Sequence, residues 1–376
     1  MENVDVVIVG GGPAGIATAL ALGRLGVSTI VIDRCDDRPR IGETLPPAII
    51  KLLVSLGVWE RFLSANHSPS FGTRARWGRS VAHENNFIFS PYGQGWHVDR
   101  GCFDAMLTQA AEDEGTVIYR CAKLASVVAD VEHTWRVDAV QGNRGHKFRS
   151  KVLVDATGRS ASLARRLGSQ RVICDRLVGI VGFFVPSARS LVQQQLTLVE
   201  ACRDGWWYSA LLPDSGVVVA YMTDADLYAK AARSTRNFWQ HELGKTADIY
   251  PRISCHTLKS SPLEVAAHSS RLFPVSGPNW LAVGDAAAAF DPLSSQGIYK
   301  ALESGLLSAH AIQRYLAGNS AALHDYALAI ERGFSHYMRV REHYYSHEQR
   351  WPNSTFWTRR RHGDDSDHAV GVRPRF

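Results

Sequence analysis

The stretch Gly10-Gly11-Gly12-Pro13-Ala14-Gly15 directly follows the apolar run Val4 to Val9 and opens a helix-prone segment, Ile16 to Leu25. Few short motifs restrict a chain so much. In the pattern Gly-x-Gly-x-x-Gly, the first glycine permits a tight turn. The second lets backbone approach a pyrophosphate, and the third lets helix and strand pack closely. Free N–H groups and the positive end of the helix dipole then face the phosphates. A second β-branched run, Val27 to Ile32, completes a β-α-β unit, and Asp33 closes it 21 residues after Gly12. A carboxylate there accepts from a ribose hydroxyl. Gly10, Gly12, Pro13, Ala14, Gly15 and Asp33, with Arg34 beside it, are therefore candidate dinucleotide-binding residues.

Composition narrows the function classes. The 376 residues are 45% hydrophobic and 21% charged, an ordinary globular balance with room for two or three domains. A net charge of +6 points to an anionic ligand or an acidic partner, yet no nucleic-acid module is visible, so a DNA or RNA role is not expected. Glu2 and Asp5 stand where a signal peptide would be basic, and no apolar run reaches the roughly 18 residues of a membrane span. The expectation is a soluble, cytoplasmic chain. Six scattered cysteines form no C-x-x-C pair, and the 15 histidines form no ligand cluster. Neither a metal site nor a disulfide framework is expected, and the cysteines read as idle thiols.

Further along, a helix is expected over Cys102 to Glu114 and a small antiparallel meander over Val127 to Val154. A second β-rich block runs from Val178 to Thr223, and two long helical patterns span about Ser295 to Tyr337. Within that block, Trp206, Trp207 and Tyr208 stand side by side. On a strand, Trp206 and Tyr208 share one face and Trp207 takes the other. That face is either aromatic core or the wall of a substrate cavity. After Pro352 the chain is polar and basic, and packs poorly by expectation.

Two later segments carry a family resemblance: Val152 to Ser162, with Asp155-Ala156-Thr157-Gly158, and Trp280 to Gly305, with Gly284-Asp285, Asp291-Pro292 and Gly297. Together with the first motif, in this order, they resemble the flavoprotein monooxygenases of the para-hydroxybenzoate hydroxylase fold over residues 1 to about 320. The resemblance implies an α/β (mixed α+β) architecture: a Rossmann-like FAD domain, an inserted antiparallel or mixed β-sheet substrate domain, and C-terminal helices. The expected boundaries are 1–70, 98–177 and 266–320 for the discontinuous FAD domain, 71–97 and 178–265 for the substrate domain, and 321–376 for the C-terminal helices and basic tail. It implies noncovalent FAD, with Gly158 and Gly284 in the cradle and Asp285 on the ribityl chain. The loop Pro292 to Gly297 and the helix after it, from Ile298, would present N–H groups to the flavin, where a positive dipole stabilises the anionic reduced ring. Arg100 matches the family's arginine that neutralises phosphate or shields the flavin. With no second Gly-x-Gly-x-x-Gly, NADH or NADPH would bind transiently as reductant.

The loop Gly42-Glu43-Thr44-Leu45-Pro46-Pro47 resembles the branch holding flavin-dependent halogenases and the flavoproteins that oxidise peptidyl tryptophan in tryptophylquinone biogenesis. Halogenases carry a catalytic lysine some thirty residues after this loop. Here the stretch Ser70 to Gly78 has Arg74 and Arg76 but no lysine, and the Trp-x-Trp-x-Ile-Pro signature would fall on Trp206 to Leu211 and is altered. The chain also looks short for a halogenase. The activity implied is NAD(P)H-dependent hydroxylation of an aromatic substrate, a tryptophan side chain of a partner protein, with a small phenol or indole as the alternative and a reductase or halogenase of the same fold beyond it. Candidate catalytic residues are Glu43, His97, Trp206 and Tyr208. Candidate docking residues are in Tyr344 to Arg361, where Trp357 and Arg359 to Arg361 are of interface hot-spot types.

Overall fold

A twisted sheet forms around the first strand because its neighbours come from distant parts of the chain. In the computed structural model, which describes residues 1–35, 39–187, 195–231 and 235–361, Glu2–Val9 lies between Thr29–Asp33 and Arg144–Asp155, parallel to both. Val117–Arg120 extends one side and Trp280–Ala282 the other. The central strands are β-branched and buried on both faces over Val6 to Val9 and Thr29 to Ile32, as parallel sheets require. Strand Arg144–Asp155 serves two partners. Its first half closes an antiparallel meander with Trp135–Gln141, and its second half joins Glu2–Val9.

Helix Pro13–Arg24 packs on the sheet through its glycines. Gly10 has φ +113°, and a Cβ there would sit 2.2 Å from the Ala156 carbonyl oxygen. One added at Gly15 would meet the Gly10 carbonyl at 2.1 Å. Both positions exclude side chains, so the motif is shaped by close backbone approach as much as by ligand contact.

A second, antiparallel-rich sheet runs from His256–Leu258 through Leu177–Pro186, Val217–Asp224, Gly205–Leu211, Leu196–Cys202 and Gly72–Arg76 to His83–Asn86. Its two faces have separate cores. One holds Trp207, Tyr221 and Trp239; the other holds Trp206, Tyr345, Phe356 and Trp357. A small sheet of Thr44–Leu45, Gly95–His97 and Ser68–Ser70 bridges the layers. Helices Gly297–Leu316 and Ala322–Ser346 return to the first sheet and then reach the second. No helix among the described residues is long and apolar enough to cross a membrane.

Two expectations are corrected here. Cys35 and Cys121 are not idle thiols but form a disulfide across 86 residues of sequence. Each follows a strand end, and the parallel pairing Asp33↔Arg120 sets those ends side by side, a juxtaposition that spacing alone hides. The segment after Pro352 is also packed rather than loose as far as Arg361. Helix Thr355–Arg361 buries Phe356, Trp357 and Arg360. Residues 362–376 lie outside the described residues.

Candidate functional site

The glycine loop frames a cradle. A Cβ at Gly12, Gly158 or Gly297 would find no atom within 4 Å, so all three face open space where the surrounding glycines are tightly packed. That opening suits a dinucleotide, whose phosphates need bare backbone. The Gly11 N–H donates to Asp33 Oδ1 at 2.8 Å, which holds the carboxylate at the loop. Arg34 is exposed beyond it. Asp155 organises the next wall: Oδ1 accepts from the Thr157 N–H at 2.8 Å and hydroxyl at 2.7 Å, and Oδ2 from Ala164 N–H at 2.7 Å. Asp285 keeps 38% of its side chain exposed, with its carboxylate 3.5 Å from Arg159 Nε.

Two helix starts flank this space. The helix from Pro13 lies against the helix from Gly297, with Thr18 Oγ1 3.1 Å from Ser308 Oγ and Ala14 close to Gly305. Gly297, at the start of its helix, therefore lies eight residues, about 12 Å, before the point opposite Ala14. Pro292 to Ser294 make a tight turn before it, and Ser295 is left-handed, with φ +49°.

The Gly42-Glu43 loop meets this cradle. A Cβ on Gly42 would lie 3.1 Å from Arg100 Nη1 and 3.9 Å from Ile298. Arg100 donates to the Ile41 carbonyl and pairs with Asp104 at 3.2 Å. It is a half-buried clamp on the loop rather than a surface charge. Glu43 is buried, and neither carboxyl oxygen has a hydrogen-bond partner in good geometry. Burial raises its pKa to about 7, against the opposing pull of Arg100 and of the Gly42 and Glu43 amides. Next to it, Thr44 Oγ1 lies 2.6 Å from Tyr208 Oη and 3.5 Å from Thr197 Oγ1. Thr197 Oγ1 lies in turn 3.2 Å from His97 Nε2. Burial, and then the Arg252 charge, lower the His97 pKa to about 4, so this imidazole is neutral through the physiological range. Burial pushes the Tyr208 phenol far above its usual value, and the nearby Glu43 charge adds to this.

Three of the four expected catalytic residues, Glu43, His97 and Tyr208, thus come together. Trp206 does not line a cavity. Its ring is fully buried, Nε1 donates to Tyr345 Oη at 2.9 Å, and Trp77 packs on it edge-on at 6.3 Å. It shares a face with Tyr208, as strand geometry demands, but the C-terminal aromatics close over it. Trp207 takes the opposite face and stacks on Tyr221 at 4.7 Å. Sequence reasoning missed Thr44, Thr197 and Arg252. Only the first had a signal, its place beside Glu43.

The docking surface expected at Trp357 and Arg359 to Arg361 is used internally instead. Trp357 Nε1 donates to the Cys202 carbonyl at 3.0 Å, Arg359 pairs with Asp224 and Asp226 at 2.8 Å, and Arg360 with Asp224 at 2.6 Å. Arg361 donates to the Glu348 carbonyl at 3.1 Å. Buried charges of this kind need partners, and the acidic residues that supply them are over 100 residues upstream. Arg74 and Arg76 are likewise committed, to Asp248 at 3.3 and 2.7 Å.

Residues 3–327 match the model of a FAD binding domain. The chain belongs to the FAD-binding domain family. It is an FAD-dependent oxidoreductase of that family, with the mixed α/β fold expected. It is 32% identical over 375 residues to the putative FAD-dependent oxidoreductase LodB of Marinomonas mediterranea, covering 98% of this chain and all of that one. It is 26% identical over 336 residues to a 1H-pyrrole-2-carbonyl-[peptidyl-carrier protein] chlorinase of Pseudomonas fluorescens, over 82% of this chain and 75% of the other. Among solved structures it is similar to the myxobacterial halogenase CndH, with TM-score 0.88 and 22% identity, over 97% of this chain and 87% of that one. It is also similar to the peptidyl tryptophan dihydroxylase QhpG, with TM-score 0.79 and 24% identity, over 98% and 81%.

Proposed function

We propose that this FAD-binding family member is an aromatic monooxygenase that hydroxylates a tryptophan side chain held by a partner protein. The observation that carries the reading is Glu43, a buried carboxyl with no hydrogen bond in good geometry, set between the FAD cradle and Tyr208. A buried acid poised near neutral pH is suited to accept a proton from an electron-rich ring, here an indole N–H. Bound FAD supplies the redox chemistry that activates dioxygen. Around it, the backbone at Gly12, Gly158 and Gly297 would hold the cofactor, and Asp33 and Asp285 would accept from its hydroxyls. Arg100 fixes the loop that carries Glu43. Tyr208 and the Thr44–Thr197–His97 chain orient the polar edge of the substrate, and burial keeps water out. The balance is one aromatic C–H, dioxygen, NAD(P)H and a proton giving the hydroxylated ring, water and NAD(P)⁺.

Support for a protein substrate comes from the surface beside this cluster. Ile88 is 78% and Phe89 90% exposed, yet their turn is held in place. Asn86 Oδ1 accepts from Ile88 N–H at 2.9 Å, and Phe87 packs on Gly95, two residues before His97. Exposed apolar residues on a fixed turn suit a polypeptide partner. QhpG, with the same fold, acts on peptidyl tryptophan, which is consistent with this reading.

The test is mass spectrometry after incubation with labelled dioxygen, NADH or NADPH, and a tryptophan-bearing peptide, with indole and a phenol in parallel. One labelled oxygen on the peptide tryptophan is expected. Bromine incorporation in the presence of bromide, or a product formed without oxygen, overturns the reading; oxygen on indole or phenol alone moves the substrate to a small aromatic. Phe89→Asp should raise the KM for the peptide about tenfold while sparing indole turnover. Equal KM values would detach the turn from substrate binding.

A further inference from the structure

Asp291 sits at the entrance to the segment that opens helix Gly297–Leu316, and its carboxylate is fully buried. Oδ1 accepts from the Leu293 N–H at 2.9 Å, which shapes the Pro292–Ser294 turn. Oδ2 accepts from Tyr345 Oη at 2.7 Å and Arg341 Nε at 3.2 Å. The Asp291 N–H donates to Tyr337 Oη at 2.7 Å. The three side-chain partners come from helix Ala322–Ser346 and lie beyond residue 327, where the family match ends. Arg341 also pairs with Asp175 at 3.1 Å, so its charge is held from two sides.

We propose that Tyr345 and Arg341 are positioning residues for the FAD site, acting through Asp291 on the Pro292–Gly297 segment. The hydroxyl of Tyr345 is used in both directions: it donates to Asp291 and accepts from Trp206 Nε1 at 2.9 Å. A continuous path therefore runs from strand Gly205–Leu211, which carries Tyr208 to Thr44 beside Glu43, to the turn that precedes helix Gly297–Leu316. The left-handed Ser295 in that turn is a conformation that persists only when its surroundings hold it. Charge-assisted hydrogen bonds to a buried carboxylate supply that hold. In this arrangement Trp206 is a relay to the flavin-side turn, not a wall for substrate.

The experiment uses the full-length protein loaded with FAD. Tyr345→Phe should raise the FAD Kd about tenfold, and should move the flavin midpoint potential and its absorbance band. Trp206→Phe should shift both in the same direction, and the double variant should fall short of the sum, because both act on one path. Tyr344→Phe, at the exposed neighbouring position, should leave both unchanged. A Tyr345→Phe protein with a lowered Tm but wild-type Kd and potential overturns the proposal, since its role is then structural alone. If Tyr345→Phe fails to fold, Arg341→Lys gives the same readouts. It keeps the charge and removes the planar donor, and unchanged Kd and potential in that variant overturn the proposal equally.

Discussion

Glu43→Gln should leave FAD bound and slow product formation by about a hundredfold to ten-thousandfold, the usual span for a lost general base. The glutamine keeps the size of the side chain and cannot take a proton. Wild-type turnover should rise with pH through about 7, as Glu43 ionises, and that limb should be missing in the variant. Stability must move the other way. A carboxyl whose pKa is raised on folding binds its proton more tightly in the folded state. Its favourable contribution is complete below about pH 4.5, the unfolded value, and is lost as pH climbs to about 7. Above that, wild type carries a cost of about 3 kcal/mol that the glutamine variant does not. Denaturant melts of the two proteins at pH 5 and pH 8 check this. If the glutamine variant gains nothing at the higher pH, the buried-acid assignment is wrong.

Gly12→Val should abolish FAD binding while the protein still folds. Gly12 has extended backbone (φ −77°, ψ 177°), which valine adopts readily, and its Cβ would meet nothing within 4 Å. The cost to the fold is about 1 kcal/mol, from a poorer helix cap. The branched side chain would occupy the space needed by the pyrophosphate. Gly15→Val, three residues on, should fail for the opposite reason, since its Cβ would meet the Gly10 carbonyl at 2.1 Å. The first variant should be a colourless protein with a near-normal melt, the second an insoluble one. A yellow Gly12→Val protein would remove the loop from the cofactor site.

Local chemistry made much of this molecule readable. The glycine loop, Asp33 and the flanking strands announced the first sheet, since turn, pyrophosphate approach and helix packing are all decided within a few residues. Alternation along Gly205–Leu211 correctly separated Trp207 from Trp206 and Tyr208. What covers each face was not readable, because Tyr345 and Trp357 arrive from over 130 residues away. The basic cluster Arg359 to Arg361 misled for the same reason. Exposed arginine and buried, paired arginine have identical local sequence, and only Asp224 and Asp226 distinguish them. The Cys35–Cys121 bridge depended on strand order, which no cysteine spacing encodes.

The interleaved first sheet also dictates a timetable. Glu2–Val9 is made before its partners, and one of its two edges stays bare until Phe148 to Asp155 has been synthesised. The strand after that comes from Trp280–Ala282, and the last wall of the cradle packs on Ala14 and Ala17 at Gly305. A nascent chain therefore carries an open, apolar edge for most of its translation, the condition that draws chaperones and invites mispairing. A complete cradle therefore has to wait until the helix that ends at Leu316 has been made.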